Sequence, residues 1–123
     1  MPKPILFIHP DPKLIRLYEP HLQRYFAFDS AYDGLSGLRK IRLIKPGLVV
    51  SEVDLPKLSG LSLLKFVRSN PSYIHIPFLF LTKNPDPTQA LNFGANDWLP
   101  RKSTSPSQLI DKIYYHLQQS YAI

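Results

Sequence analysis

Five short apolar runs separated by longer amphipathic stretches constrain this chain more than any other feature of its sequence. The runs read as strands at 4–9 (PILFIH), about 26–29, 48–53 (LVVSEV), 76–82 (IPFLFLT) and about 97–100. Between them apolar residues recur at helical spacing: Leu14, Ile15, Tyr18 and Leu22; then Leu35, Leu38, Ile41 and Ile44; then Leu61, Leu64 and Val67. A brief fourth helix should end near Phe93, with Gly94 as its left-handed terminator, and a last one over about 105–120 buries Leu109, Ile110, Ile113 and Leu117. Continuous apolar strands are buried on both faces, and strict alternation of strand and helix demands a parallel sheet with right-handed crossovers. The expected architecture is α/β, a doubly wound five-stranded parallel sheet in one domain over 1–123. The run at 76–82 is the most hydrophobic and is expected at the centre of that sheet. Asp11 and Pro12 read as the start of the first helix, Pro20 as a kink or stop within it, and Lys45 to Gly47 as the stop of the second.

Composition narrows the chemistry. The chain has 123 residues and no cysteine, which removes disulfides, thiolate metal sites and a thiol nucleophile. No apolar run approaches the ~18 residues of a membrane span, and the N-terminal apolar stretch is too short for a signal peptide. A soluble, cytoplasmic, single-domain protein is expected. Fifteen Lys+Arg against nine Asp+Glu give a charge of +6, but the excess is spread along the chain. Its one concentration, Arg39, Lys40, Arg42 and Lys45 on the second helix, has no interleaved aromatics, so a solvated face is expected before a nucleic-acid surface.

In open parallel sheets, ligands gather outside the carboxyl ends of the strands. That rule selects His9, Pro10 and Asp11 after the first strand, Glu52 and Asp54 after the third, Thr82 and Lys83 after the fourth, and Arg101 and Lys102 after the fifth. No glycine-rich phosphate loop and no nucleophile elbow accompany them, which argues against a nucleotide triphosphatase or a serine hydrolase. His21, His75 and His116 lack metal-ligand spacing and read as ordinary surface or half-buried residues. Tyr114, Tyr115 and Tyr121 could mark a binding surface, with Tyr114 packed because it follows Ile110 by one turn.

Four segments together resemble the receiver domains of two-component response regulators: 5–12 (ILFIHPDP), 46–60 (PGLVVSEVDLPKLSG), 76–82 and 93–101 (FGANDWLPR). The resemblance covers essentially the whole chain. It implies a flavodoxin-like sheet of strand order 2-1-3-4-5 and a role in phosphorelay signalling. In that family an aspartate ending the third strand accepts a phosphoryl group, two acids after the first strand hold Mg2+, and a Ser or Thr and a Lys grip the phosphoryl oxygens.

Carried over residue by residue, the pattern departs from the family at most of these positions. The acceptor position holds Glu52, the acidic pair is His9 and Pro10, and the lysine position is Arg101, while Thr82 and the aromatic Trp98 are retained. Proline supplies no ligand and imidazole suits a hard cation poorly, so no cofactor is expected and Mg2+ has only Asp11, Glu52 and Asp54 as weak candidate ligands. Glutamate reaches further than aspartate, and a guanidinium can hold it with two parallel bonds. The residues therefore leave open a pocket locked by a Glu52–Arg101 salt bridge, or free variation after phosphorylation was lost. Trp98 reads as a switch aromatic or as a cover for the sheet edge.

Arg101 follows Thr82 by only 19 positions, about a helical turn short of the family pattern, and the deletion falls on the fourth helix behind Pro85 and Pro87. The expected function is a non-enzymatic, receiver-like signalling module. It would act by protein–protein contact with a signalling partner, an output domain or a second copy of itself, without phosphorylation and without a membrane. The alternatives are an active receiver phosphorylated on Glu52 or Asp54, and a nucleic-acid binder using the basic surface.

Overall fold

A computed structural model describes residues 3–121, Tyr121 by its backbone alone. The strands are β1 (Ile5–Ile8), β2 (Phe28–Ala31), β3 (Leu48–Ser51), β4 (Phe78–Thr82) and β5 (Asp97–Pro100). The helices are α1 (Pro12–Gln23), α2 (Gly34–Ile44), α3 (Gly60–Ser69), α4 (Thr88–Asn92) and α5 (Pro106–Tyr121), with a 3-10 turn at Arg101–Ser103. All four strand pairings are parallel and the order is β2-β1-β3-β4-β5, as the resemblance implied. The middle place belongs to β3; β4, expected there from its hydrophobicity, lies one strand further out and is buried along its whole length.

Successive strand residues point to opposite faces and so divide the core in two. Leu6, Ile8, Val49, Phe78 and Phe80 pack with residues of α2, α3 and α4, such as Ile41, Leu64 and Ala90. Ile5, Phe7, Val50, Leu79 and Leu81 pack with Ile15, Tyr18 and Leu22 of α1 and Leu109 and Ile113 of α5. Both faces of the sheet are thus covered by helices, as continuous apolar strands require.

Local chemistry sets most element ends. Asp11 caps α1 by accepting the Lys13 N–H at 2.9 Å, with Pro12 at the first helical position. Asp33 and Ser59 cap α2 and α3 in the same way. Pro20 does not end α1, which runs on to Gln23. A missing N–H and its clash cost ~3 kcal/mol in a helix interior, and burial of Ile15, Tyr18 and Leu22 outweighs that. The second strand begins two residues later than its sequence suggests, because Leu22 O accepts from both Tyr25 N and Phe26 N and those residues close α1. On α2 the buried positions are Gly34, Gly37 and Ile41, while Leu35 is exposed. A Cβ on Gly34 would stand 1.7 Å from Leu58 O and one on Gly37 2.8 Å from Ile8 Cδ1, so the helix packs where it has no side chains. Gly94 takes φ +96 as expected.

The brevity of α4 is real: five residues, preceded by Pro87 with no side-chain cap. Its far end is fastened by Arg68, whose guanidinium donates to Gly94 O at 2.9 Å, Ile74 O at 3.1 Å, Ile76 O at 2.8 Å and Asn96 Oδ1 at 2.6 Å. No helix among the described residues is long and apolar enough to cross a membrane.

Candidate functional site

The carboxyl ends of β1, β3, β4 and β5 come together in parallel register, with Ile8 opposite Ser51 and Thr82 opposite Pro100. The residues that follow them therefore converge. His9, Pro10, Asp11, Glu52, Asp54, Lys83 and Arg101 line one depression of about 310 Å3. Every position chosen from the strand-end rule, save Thr82 beneath it and Lys102 beside it, is on that wall.

Glu52 is 4% exposed, and its carboxylate is held from below. Oε2 accepts from the backbone N–H of Val53 at 2.6 Å and from the hydroxyl of Thr82, itself buried. Thr82 Oγ1 in turn accepts the Asn84 N–H at 3.0 Å, so one hydroxyl ties the acceptor position to the loop after β4. The other carboxylate oxygen, Oε1, faces His9 Nε2 at 3.9 Å.

His9 is 3% exposed. The Asp11 N–H donates to Nδ1 at 2.9 Å, so Nδ1 carries the lone pair and the ring proton sits on Nε2. That nitrogen lies 3.2 Å from Arg101 Nη1. A protonated Nε2 cannot accept from the guanidinium, so this is a close approach without a hydrogen bond, and Glu52 Oε1 lies 3.9 Å from the same nitrogen. Burial holds the imidazole below the usual histidine range, Glu52 opposes that shift, and Arg101 adds to it. The direct Glu52–Arg101 salt bridge, one of the two readings the sequence leaves open, is not formed. No ion pair within 4.0 Å joins them among the described residues; the neutral imidazole of His9 stands between anion and cation. The physical reason is size, because an imidazole at a position where the family has a short acid fills the gap that a bidentate pair would have needed to close.

The donor set does not suit Mg2+, which demands octahedral oxygen. Pro10 offers nothing, His9 offers nitrogen, and the Asp11 side chain is committed to the α1 cap. Glu52 Oε2 is occupied by Thr82 and Val53, and Asp54 is exposed on the rim. Among the described residues no three of His, Asp and Glu gather closely enough to hold a metal ion.

Trp98 is half-buried on β5, its ring 5.7 Å from that of Phe80, against the core on one side and open on the other. It covers the sheet next to α4. The basic face of α2 is less free than its sequence suggests: Lys40 Nζ is 2.7 Å from both Asp29 Oδ1 and Ser30 O. Tyr114 is 44% exposed with its ring 4.9 Å from Phe26, and Tyr115 is exposed, while the Tyr121 side chain lies outside the described residues.

Two functional-looking contacts escaped the sequence. His116 is buried with Nε2 at 2.8 Å from Asp97 Oδ2. The signal was present, since it follows the buried Leu109 and Ile113 at helical spacing. Arg68, which gathers four acceptors, gave no signal, because all but one of its partners are backbone carbonyls.

Comparison with known proteins agrees with this geometry. Residues 5–114 match the response regulator receiver domain family. Over 124 residues the chain is 31% identical to the alkaline phosphatase synthesis transcriptional regulatory protein PhoP of Bacillus subtilis, covering 98% of this chain and 50% of that protein. Over 115 residues it is 30% identical to hybrid signal transduction histidine kinase D of Dictyostelium discoideum, covering 90% of this chain and 7% of that one. The chain thus spans half or less of these two relatives. In fold it superposes on the chemotaxis response regulator CheY4 of Vibrio cholerae with a TM-score of 0.85 at 23% identity, covering 94% of this chain and 99% of that one. Sequence segments, sheet order and strand-end pocket lead to one assignment: this chain belongs to the response regulator receiver domain family.

Proposed function

We propose that this receiver domain signals through protein contacts without accepting a phosphoryl group and without Mg2+. The observation that carries the reading is the state of Glu52. Its inner oxygen is engaged by the Thr82 hydroxyl and the Val53 N–H, and its outer oxygen faces a buried, neutral His9. Phosphoryl transfer works by positioning and by neutralising charge on the transferred group, and this pocket supplies no oxygen set for a cation, while the one Glu52 oxygen without a hydrogen bond, Oε1, faces His9 Nε2 at 3.9 Å instead of a metal-held phosphoryl donor. The charges that metal and phosphoryl would bring are replaced by a fixed series: carboxylate, imidazole, guanidinium. Output then rests on surfaces that do not wait for modification, and the partner is a signalling protein, an output domain or a second copy. The chain is not expected to be an enzyme, and a cytoplasmic location suits this role.

The test is incubation with acetyl phosphate and Mg2+ followed by intact-mass measurement. The expected mass is unchanged. A gain of one phosphoryl group, lost on Glu52→Gln or on Asp54→Asn, overturns the reading in favour of an active receiver using an unusual carboxylate.

A further inference from the structure

We propose that the cleft beside Trp98 is a binding site for a small planar aromatic anion. The cleft has a volume of about 620 Å3, within the ~300–1,000 Å3 usual for small-molecule sites. It lies between the loop that leads into the five-residue α4, with Pro85 and Pro87, and the ends of β4 and β5. The inference concerns this cleft and holds whether or not the neighbouring Glu52 pocket takes a phosphoryl group.

Three features define the ligand. Trp98 supplies an aromatic surface whose position is fixed from behind by Phe80, with ring centroids 5.7 Å apart. A planar ring stacks on such a surface without needing a particular hydrogen-bond pattern. Lys83, Arg101 and Lys102 border the same cleft, and none of the described residues lining it is acidic. The site therefore favours one anionic group at the edge of the ring. Pro85, Pro87 and Pro100 complete the wall. Prolines have fixed shape and no N–H, so these positions offer no backbone donors to an extended peptide, which docks through main-chain hydrogen bonds. A compact ring with a carboxylate or phosphate fits; an acidic peptide strand does not.

Arg101 and Lys83 border both this cleft and the Glu52 depression. An anion bound beside Trp98 would draw on the same guanidinium that stands against His9, which gives the bound ligand a physical route to the site where the family normally receives its signal.

Trp98 is the one tryptophan of the chain, so its indole N–H is a single, assigned reporter in a 15N-labelled sample. The full 123-residue chain is titrated with adenosine 5′-monophosphate, with 4-hydroxybenzoate, with uncharged adenosine and with hexaglutamate. A saturating shift of the indole signal by the nucleotide or the benzoate, with Kd below about 1 mM, is expected, and which of the two binds tells a nucleotide source from an aromatic acid. Adenosine should bind at least about tenfold more weakly than its monophosphate if the nucleotide is the ligand. The double variant Lys83→Ala, Lys102→Ala changes two exposed side chains; it should keep the native spectrum and lose at least about tenfold in affinity. The proposal is overturned if neither anion saturates, if adenosine binds as well as a binding nucleotide, if the double variant binds undiminished, or if hexaglutamate shifts the indole signal as tightly as either ring.

Discussion

Replacing Thr82 by valine keeps the shape of the side chain and removes only its hydroxyl. Thr82 is 1% exposed and Glu52 4% exposed, so water does not repair the loss. One bond broken is the hydroxyl donated to a buried carboxylate, and bonds to charged groups are worth about 1.5–3 kcal/mol. The same change strips the acceptor from the Asn84 N–H, which bonds Thr82 Oγ1 at 3.0 Å, a part-buried neutral bond worth about 0.5–1.5 kcal/mol. Together the expected destabilisation is about 2–4 kcal/mol, a large share of the ~5–15 kcal/mol that a domain of this kind has in total. Urea unfolding followed by circular dichroism should show the midpoint lowered by about 1–2 M at unchanged slope. Thr82→Ser, which retains the oxygen, should recover most of that loss. If Thr82→Val lies within about 0.5 kcal/mol of the parent, the carboxylate of Glu52 is not held by this hydroxyl, and the account of Glu52 fixed from below by Thr82 fails with it.

Two further predictions rest on groups around the site. Because the folded protein holds His9 below its ordinary range, its contribution is complete above the unfolded value of about 6.5 and is lost as pH falls below it. Stability measured from pH 8 down to 5 should decline in that window, and His9→Asn, whose amide oxygen can still accept the Asp11 N–H, should flatten the decline. Arg68→Ala removes the donor to three loop carbonyls and to Asn96 Oδ1; water reaches all but the Ile76 carbonyl, so about 1–2 kcal/mol should be lost in urea unfolding, with Arg68→Lys recovering only part because an ammonium cannot span four acceptors in one plane.

The sheet was legible because burial on both faces leaves a plain mark, as in the unbroken run Phe78–Thr82. The inward face of α2 was legible only in part: Leu38 and Ile41 were marked by their spacing, whereas Gly34 and Gly37 carry no hydropathy signal and matter by what they lack. The converging site residues followed from one rule about strand ends. Their pairing did not follow: charge complementarity pointed Glu52 at Arg101, whereas in the folded chain His9 Nε2 lies beside both. The Thr82 hydroxyl was identified as a retained family position, but its bond to Glu52 depends on the stagger of β3 and β4, where Ser51 stands opposite Phe80, and a sequence without a register does not contain that distance.

The fastening of α4 at both ends has a consequence for which substitutions this surface tolerates. At one end Thr82 holds Asn84; at the other Arg68 holds Gly94 and Asn96, and Asn96 Oδ1 also accepts the N–H of Phe78. Between those anchors, residues 85–93 bury only Ala90. Substitutions at the other eight positions should leave β4 and β5 aligned, because the bonds that set that alignment lie outside the segment. The outward face of this loop and helix is thus mechanically separate from the sheet that carries it.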